Sequence, residues 1–379
     1  MVKLNGADVI VVGSGFFGLT IAERISSELG KSVLVLEKRN HIGGNAYSYK
    51  DDATGVEVHK YGSHLFHTNN EKVWKYVNKF SHFNNYQHRV LAIAHGQYLN
   101  LPINLQTISN VFGKIFTPQE AKKFFEGLSR EVIEENLEAR ALNLVGKELY
   151  EILIKGYTEK QWGTSTTDLP ASIINRLPVR NNLDSRYFTD LYQGLPIEGY
   201  SDLFGKMIDS KNITVELNID FFSVKEFIES DQLVVYTGPL DRFFNYKHGV
   251  LGWRTVDFEF QTIPLDDFQG NAVINYCDRE VPYTRIHEFF HLHPERTKKF
   301  GKTIIAKEYS RVALEGDEPY YPINSKSDRD KLLKYREEKI PENYFLGGRL
   351  GTYKYLDMHM AIASALSLYE TKISRWFED

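Results

Sequence analysis

A chain of 379 residues with 42% hydrophobic and 25% charged residues can build two or three packed layers around a large core, and no stretch in it is apolar for long enough to span a bilayer. The formal net charge of -4 argues against the broad basic field that general nucleic-acid binding needs, so an anionic ligand has to be held by local arginines. One cysteine, Cys277, excludes an internal disulfide and a cysteine metal cluster; with the polar start MVKLNGAD, which lacks a signal-like apolar region, it predicts a cytoplasmic protein without a metal centre.

In chain order, ADVIVVG is a short continuous apolar run, the pattern of a parallel strand buried on both faces. GLTIAERISSELG then has helical periodicity and stops at Gly30, and SVLVLEK is a second buried strand, completing a βαβ unit. RVLAIAHGQYLNLP predicts a hairpin turning at His95-Gly96, which takes the chain into an antiparallel sheet. Between Asn104 and Leu169 the pattern is helical: Thr117 caps TPQEAKKFFEGL, and LEARALNLVGKELYEILIKGY has apolar residues at three- and four-residue spacing. NITVELNID and DQLVVYTG are strands placed to rejoin the first sheet. WRTVDFEF, NAVINYC and KTIIAKEYS are longer antiparallel strands, and a final helix runs from about Met358 to Phe377.

Gly13-Ser14-Gly15-Phe16-Phe17-Gly18 lies between the first strand and its helix, where glycines permit a tight turn and close backbone approach to a pyrophosphate, and the helix N-terminus offers unpaired N–H groups. Glu37, ending the second strand, stands where a carboxylate accepts from ribose hydroxyls. Lys38, Gly44 and Asn45 belong to a second glycine-containing segment, Glu37 to Asn45, which resembles FAD proteins of the glutathione-reductase and amine-oxidase type. Near the other end, Phe345 to Arg349 reads as a strand entering a glycine-rich turn at Gly348 and Arg349, and Leu356-Asp357-Met358 leads into a helix whose amides can meet a second part of a long cofactor.

Six further motifs occur in order: YGSHLFHT at Tyr61, GYTEKQWG at Gly156, ASIINRLPVR at Ala171, VPYTRI at Val281, EPYYPIN at Glu318 and GGRLGTYKYLDM at Gly347. Together they resemble the bacterial-type UDP-galactopyranose mutase family, from Val9 to about Met360. The resemblance implies an isomerase that interconverts UDP-galactopyranose and UDP-galactofuranose through a covalent adduct at N5 of reduced FAD, supplying galactofuranose for cell-surface glycans. It also implies a reductant such as NAD(P)H or a reductase, and a homodimer.

The same resemblance implies roles for individual residues. Arg176 and Arg285 stabilise the departing diphosphate, and His64 contacts the flavin or the sugar. Tyr157 and Trp162 contact uracil, Tyr187, Tyr320 and Tyr355 donate to the diphosphate, and Asn275 and His88 complete the substrate pocket. Gly13, Gly15, Phe17, Gly18, Glu37, Lys38, Gly44, Asn45, Gly348, Arg349, Leu356, Asp357 and Met358 surround FAD. The expected fold is α/β: a Rossmann-like FAD-binding domain (1–80, 206–245 and 316–379), an inserted helical lobe (103–174), and an antiparallel β-sheet substrate domain (81–102, 175–205 and 246–315). Ser63 stands where the family often has Pro, Leu153-Ile154 where members carry Phe-Phe, and His88 where some have Asn. A redox flavoprotein of the amine-oxidase type and a non-catalytic nucleotide-sugar binder are the competing readings; HLH at His291 to His293 lacks a third ligand at metal-binding spacing.

Overall fold

A computed structural model describes residues 4, 6–128, 135–296 and 301–378, without the side chains of Asn175 and Arg176. Two sheets organise it. The first is a five-stranded parallel sheet in the order Tyr344–Leu346, Leu233–Tyr236, Val9–Val12, Val33–Leu36 and Ile213–Glu216. Every residue of Val9–Val12, Val33–Leu36 and Leu233–Tyr236 is buried, as a sheet covered on both faces requires. Alternation divides them: Val9 and Val11 face a core built with the helix Phe16–Arg24 and the helix Met358–Leu368, whereas Ile10 and Val12 face an opposite layer containing Phe221 and Tyr236.

The second sheet has seven strands, ordered Tyr321–Pro322, Trp253–Ile263, Thr303–Val312, Arg285–Glu288, Val273–Tyr276, Val90–Ala94 and Gln97–Leu101. It is not purely antiparallel as expected, because Val273–Tyr276 runs parallel to Val90–Ala94. That hairpin turns at His95 and Gly96, both with positive φ, and it enters the sheet before the helical insertion, which lets a later strand add beside it in the same direction. Tyr321–Pro322 pairs with Trp253 and Arg254, so the stretch after residue 316 begins in this sheet before the chain returns to the parallel one.

The helical insertion starts from local signals. Asn104 with Thr107, and Thr117 with Glu120, form reciprocal capping boxes, and Asn136 caps Leu137–Val145. The last of these does not continue as one helix. Gly146, at φ 83° and ψ 169°, breaks it, and the chain resumes through Lys147–Leu149 and a π turn, Tyr150–Lys155, into Gly156–Trp162.

The turn after Val9–Val12 is packed to contact. A Cβ on Gly18 would lie 2.0 Å from the Gly13 carbonyl oxygen, so the helix can approach the strand this closely only without a side chain there. Gly18→Ala is therefore expected to cost about 1–3 kcal/mol, read as a lower urea midpoint at unchanged slope; a wild-type midpoint would show that the turn yields freely.

Candidate functional site

The glycine turn meets the acid predicted for it. Glu37 is buried, its Oε2 accepts from the Ser14 amide (2.9 Å) and hydroxyl (2.6 Å), and its Oε1 accepts from the Arg39 amide (2.8 Å). No side chain caps the helix Phe16–Arg24 behind Gly15, and none caps Met358–Leu368 behind Asp357. The two helices pack together, and each leaves the N–H groups of its first turn without a side-chain cap, available to a phosphate-bearing ligand. A Cβ on Gly44 would come within 3.1 Å of the Gly15 Cα, so the two glycine segments pass backbone to backbone. Arg39, missed in the sequence, donates to Asn45 Oδ1 and Glu318 Oε2 (both 2.8 Å) and lies 4.5 Å above the Tyr61 ring. Its buried Nη1 has no partner among the described residues, a donor still to be met by a ligand. This set fits a dinucleotide cofactor: a buried ribose-type acceptor, two open helix ends and a spare guanidinium donor.

Other predicted cofactor residues work at one remove. Phe17 fills the space beneath Gly347, where a Cβ would sit 2.1 Å from its ring, and so joins the two glycine turns. Lys38 is half-exposed, 3.7 Å from Glu318. Arg349 donates to the carbonyls of Leu356 (2.6 Å) and Tyr320 (3.1 Å) and lies 4.6 Å above the Tyr355 ring, fixing the turn between Gly348 and Asp357.

The second cluster follows from strand register. Asn275, Arg285, Glu308 and Phe258 are consecutive partners across four strands and therefore share one face of the seven-stranded sheet. His287 and Ala306 form the next rung on that face. Arg285 donates to the Tyr157 hydroxyl, and its Nε lies 3.3 Å from Glu308 Oε1 without a hydrogen bond. Burial raises the Glu308 pKa, but Arg285, with hydrogen bonds from His287 and Thr284, overrides it and holds the carboxyl below its ordinary range. Burial opposes the charge on Arg285, and Glu308 and Tyr157 more than restore it. Asn275 Oδ1 is buried and unpartnered on the same rung.

Around this rung the remaining residues separate. Tyr157 and Trp162 lie on the helix Gly156–Trp162, whose end is held to the sheet because Arg254 Nε (3.0 Å) and Ser310 Oγ (2.6 Å) donate to the Gln161 carbonyl. From the same helix the Lys160 ammonium donates to the carbonyls of Tyr276, Asp278, Val281 and Tyr283 at 2.7–3.1 Å, clamping the turn that leads from Asn275 to Arg285. Tyr187 packs its ring on His88 (5.8 Å) and donates its amide to the His88 carbonyl. His64 donates its amide to His59 Nδ1 (3.0 Å) and contacts the Gly62 carbonyl through Nδ1 (2.7 Å). Arg176 ends the 3-10 turn Ala171–Arg176, and its side chain lies outside the described residues.

The two tyrosines of EPYYPIN have different surroundings. Tyr320 faces Tyr61 (6.5 Å between centroids), whereas Tyr321 stacks on Tyr355 (5.8 Å, 15°) and feels the charges of Glu308 and Arg285. Adjacent strand residues point to opposite faces, so one residue changes which chemistry a tyrosine meets. Glu308 and His287 were also missed; the signal available was a charged residue at an inward-facing position of an otherwise apolar strand, and a histidine two residues beyond Arg285. His291 and His293 take separate carboxylates, Asp267 and Glu295. Cys277 is a buried thiol that donates to the Leu153 carbonyl, and burial pushes its pKa up to about 12.

Comparison with known proteins places these geometries. A family model described as UDP-galactopyranose mutase matches residues 152–355, and one for an NAD(P)-binding Rossmann-like domain matches residues 11–80. A Klebsiella pneumoniae protein named probable UDP-galactopyranose mutase is 44% identical over 98% of this chain and 96% of its own length. An Escherichia coli dTDP-fucopyranose mutase is 41% identical over 94% of this chain and 96% of its own. Among solved structures, reduced UDP-galactopyranose mutase superposes with a TM-score of 0.72 at 14% identity, over 98% of this chain and 95% of that one. An Exiguobacterium protein titled putative protoporphyrinogen oxidase reaches a TM-score of 0.64 at 13% identity, covering all of both chains, so the fold is shared with oxidases.

The buried histidines set an acid limit. Burial lowers His64 from 6.5 to about 4 and His88 from 6.5 to about 3. The unfolded chain takes up these protons near pH 6.5 while the folded chain resists, so their contribution is complete above that pH and is lost as pH falls toward 4 and 3. The thermal midpoint should fall across this window, and fall less steeply in His64→Asn or His88→Asn; an equal slope in both variants would remove these groups as its source.

Proposed function

The chain belongs to the UDP-galactopyranose mutase family, and on that premise we propose that it interconverts UDP-galactopyranose and UDP-galactofuranose with FAD as cofactor. It is an enzyme of the isomerase class. The observation that carries the substrate reading is Arg285, a guanidinium in the middle of a sheet, beside Glu308 and Tyr157 and sharing its rung with Asn275, whose Oδ1 has no partner among the described residues. Such a group suits a pyrophosphate better than a carboxylate already supplied by the protein.

Product and substrate contain the same atoms: the bond from the anomeric carbon to UDP breaks and re-forms, and the ring closes on a different hydroxyl oxygen. Reduced FAD, when bound, supplies the nucleophile for the anomeric carbon at its N5. The chain's own part is to bind and to stabilise charge. Arg285 meets the diphosphate as negative charge grows on it, an electrostatic role whose removal costs about a hundredfold or more. Glu308 offsets the charge of Arg285, so net attraction for a dianion needs a further cation, the role assigned to Arg176. Tyr187, Tyr320 and Tyr355 donate to the diphosphate, and Tyr321, stacked on Tyr355, joins them. Tyr157 and Trp162 hold the uracil, and His64 lies on the flavin side. Gly13, Gly15, Glu37 and Asp357 with the two helix ends hold FAD. We place the enzyme in the cytoplasm, as a homodimer using NAD(P)H or a reductase, feeding galactofuranose to cell-surface glycans.

The Escherichia coli relative supports a second reading, the corresponding contraction of a dTDP-linked 6-deoxy sugar. One assay separates them: FAD-loaded protein is incubated with UDP-galactofuranose or with dTDP-fucofuranose, with and without dithionite, and the isomers are resolved by chromatography. Conversion of UDP-galactofuranose only with reductant is expected; preference for the dTDP sugar selects the second reading, and no conversion of either removes both. Arg285→Ala should retain FAD while kcat falls about a hundredfold or more, and wild-type turnover would take Arg285 out of the mechanism.

A further inference from the structure

Arg285 does not make the pair that its neighbour permits. A carboxylate beside a guanidinium normally takes two parallel N–H bonds, which would occupy the donors meant for a ligand. Here Glu308 is held elsewhere. Its Oε2 lies 3.0 Å from His287 Nε2, and Thr284 Oγ1 donates to its Oε1 at 3.2 Å. Among the described residues, Arg285 keeps one hydrogen bond, from Nη2 to Tyr157, while Nε faces Glu308 Oε1 at 3.3 Å without bonding to it, so no bidentate pair forms.

His287 is fixed in turn. The Glu308 carboxylate only accepts, so the proton of a neutral His287 sits on Nε2 and Nδ1 is the acceptor. Ser63 supplies the donors, its hydroxyl at 2.8 Å and its amide at 3.4 Å. The Phe289 ring lies parallel to the imidazole at 5.9 Å and 5°, and Phe258 packs at 5.9 Å, so aromatic contacts add to the two polar ones in fixing the ring. Ser63 lies next to His64, on the loop assigned to the flavin side, whereas Arg285 is assigned to the diphosphate.

We propose that Ser63 and His287 are positioning residues that keep the Glu308 carboxylate from closing on Arg285 as a bidentate pair, so that Glu308 compensates the charge while the remaining guanidinium donors stay open to a nucleoside diphosphate. The unit rests on the reading of Arg285 as a diphosphate ligand. It spans the two halves of the site, from the His64 loop to the sheet. Losing His287 frees Glu308 to close on Arg285 as a bidentate pair and compete with the ligand.

The test uses FAD-loaded protein, UDP as probe by titration calorimetry, and turnover of UDP-galactofuranose with dithionite. His287→Leu should weaken UDP binding about tenfold and lower kcat/KM at least as much, with flavin content unchanged. His287→Gln, which can still donate to Glu308, should stay within about threefold of wild type. The decisive variant is His287→Leu combined with Glu308→Gln: an amide cannot form the competing ion pair, so UDP affinity should return. A merely structural His287 predicts the opposite, since a second buried substitution would add to the damage. Wild-type UDP affinity in His287→Leu, or a double variant as weak as the single one, overturns the positioning role alone. Absence of both UDP binding and turnover in the wild type overturns the diphosphate reading and the proposal with it. If His287→Leu does not retain FAD, Ser63→Ala takes its place: UDP binding weakened about threefold and restored by Glu308→Gln supports the proposal, and unchanged binding overturns it.

Discussion

The charged rung of the seven-stranded sheet constrains everything around it. Arg285 and Glu308 sit where strand pairing demands apolar side chains, with the Glu308 side chain 4% and the Arg285 side chain 26% exposed. A buried ion pair rarely repays its desolvation, and a well-packed hydrophobic pair would serve the sheet at least as well. What it provides is a cation of fixed position. Its neighbours are small or aromatic: Ala92 and Ala306 stand on the same two rungs, and Phe258 and Phe289 both pack against the His287 ring.

Positioning that cation takes contributions from elements far apart in sequence. Lys160 reaches from the inserted helices to four carbonyls of the turn before Arg285, and Arg254 reaches from the sheet back to the end of that helix. These reciprocal contacts make the helix Gly156–Trp162 and the sheet one rigid platform. Arg349 performs the equivalent task at the other border. By bonding the carbonyls of both Leu356 and Tyr320 it ties the late glycine turn of the parallel sheet to the edge of the seven-stranded one. The cofactor cradle and the Arg285 rung therefore meet through hydrogen bonds of buried or half-buried arginines and not through apolar packing alone.

The parallel sheet was legible because ADVIVVG and SVLVLEK are uninterrupted apolar runs, and only burial on both faces accounts for such a pattern. The glycine turn and Glu37 were legible for a related reason, since their spacing is dictated by the turn itself. Capping boxes at Asn104 and Thr117 are likewise local. Glu308 was only half legible: KTIIAKEYS shows charges in an otherwise apolar strand, but whether Glu308 or the partly exposed Lys307 beside it faces inward is decided by register with Arg285, and register is a property of two strands. Which of Tyr320 and Tyr321 lies nearer the Arg285 rung depends on register in the same way. The parallel pairing of Val273–Tyr276 with Val90–Ala94 depends on which strands a helical insertion separates, a matter of topology that no local pattern records.

The parallel sheet is assembled from distant parts: Val9–Val12 lies between Val33–Leu36 and Leu233–Tyr236, and the edge is completed by Tyr344–Leu346. During synthesis the first strand therefore emerges well before either its second neighbour or the covering helix Met358–Leu368 exists. Contacts of such long range are slow to form, and a nascent chain carries this apolar strand with one edge open until Leu233–Tyr236 has been made, and with one face uncovered until Met358–Leu368 follows. The inserted helices, with their own caps and local contacts, can acquire structure in that interval. The two glycine turns, at Gly13–Gly18 and at Gly347–Gly348, meet through Phe17 and so can come together only after nearly all of the chain has been made.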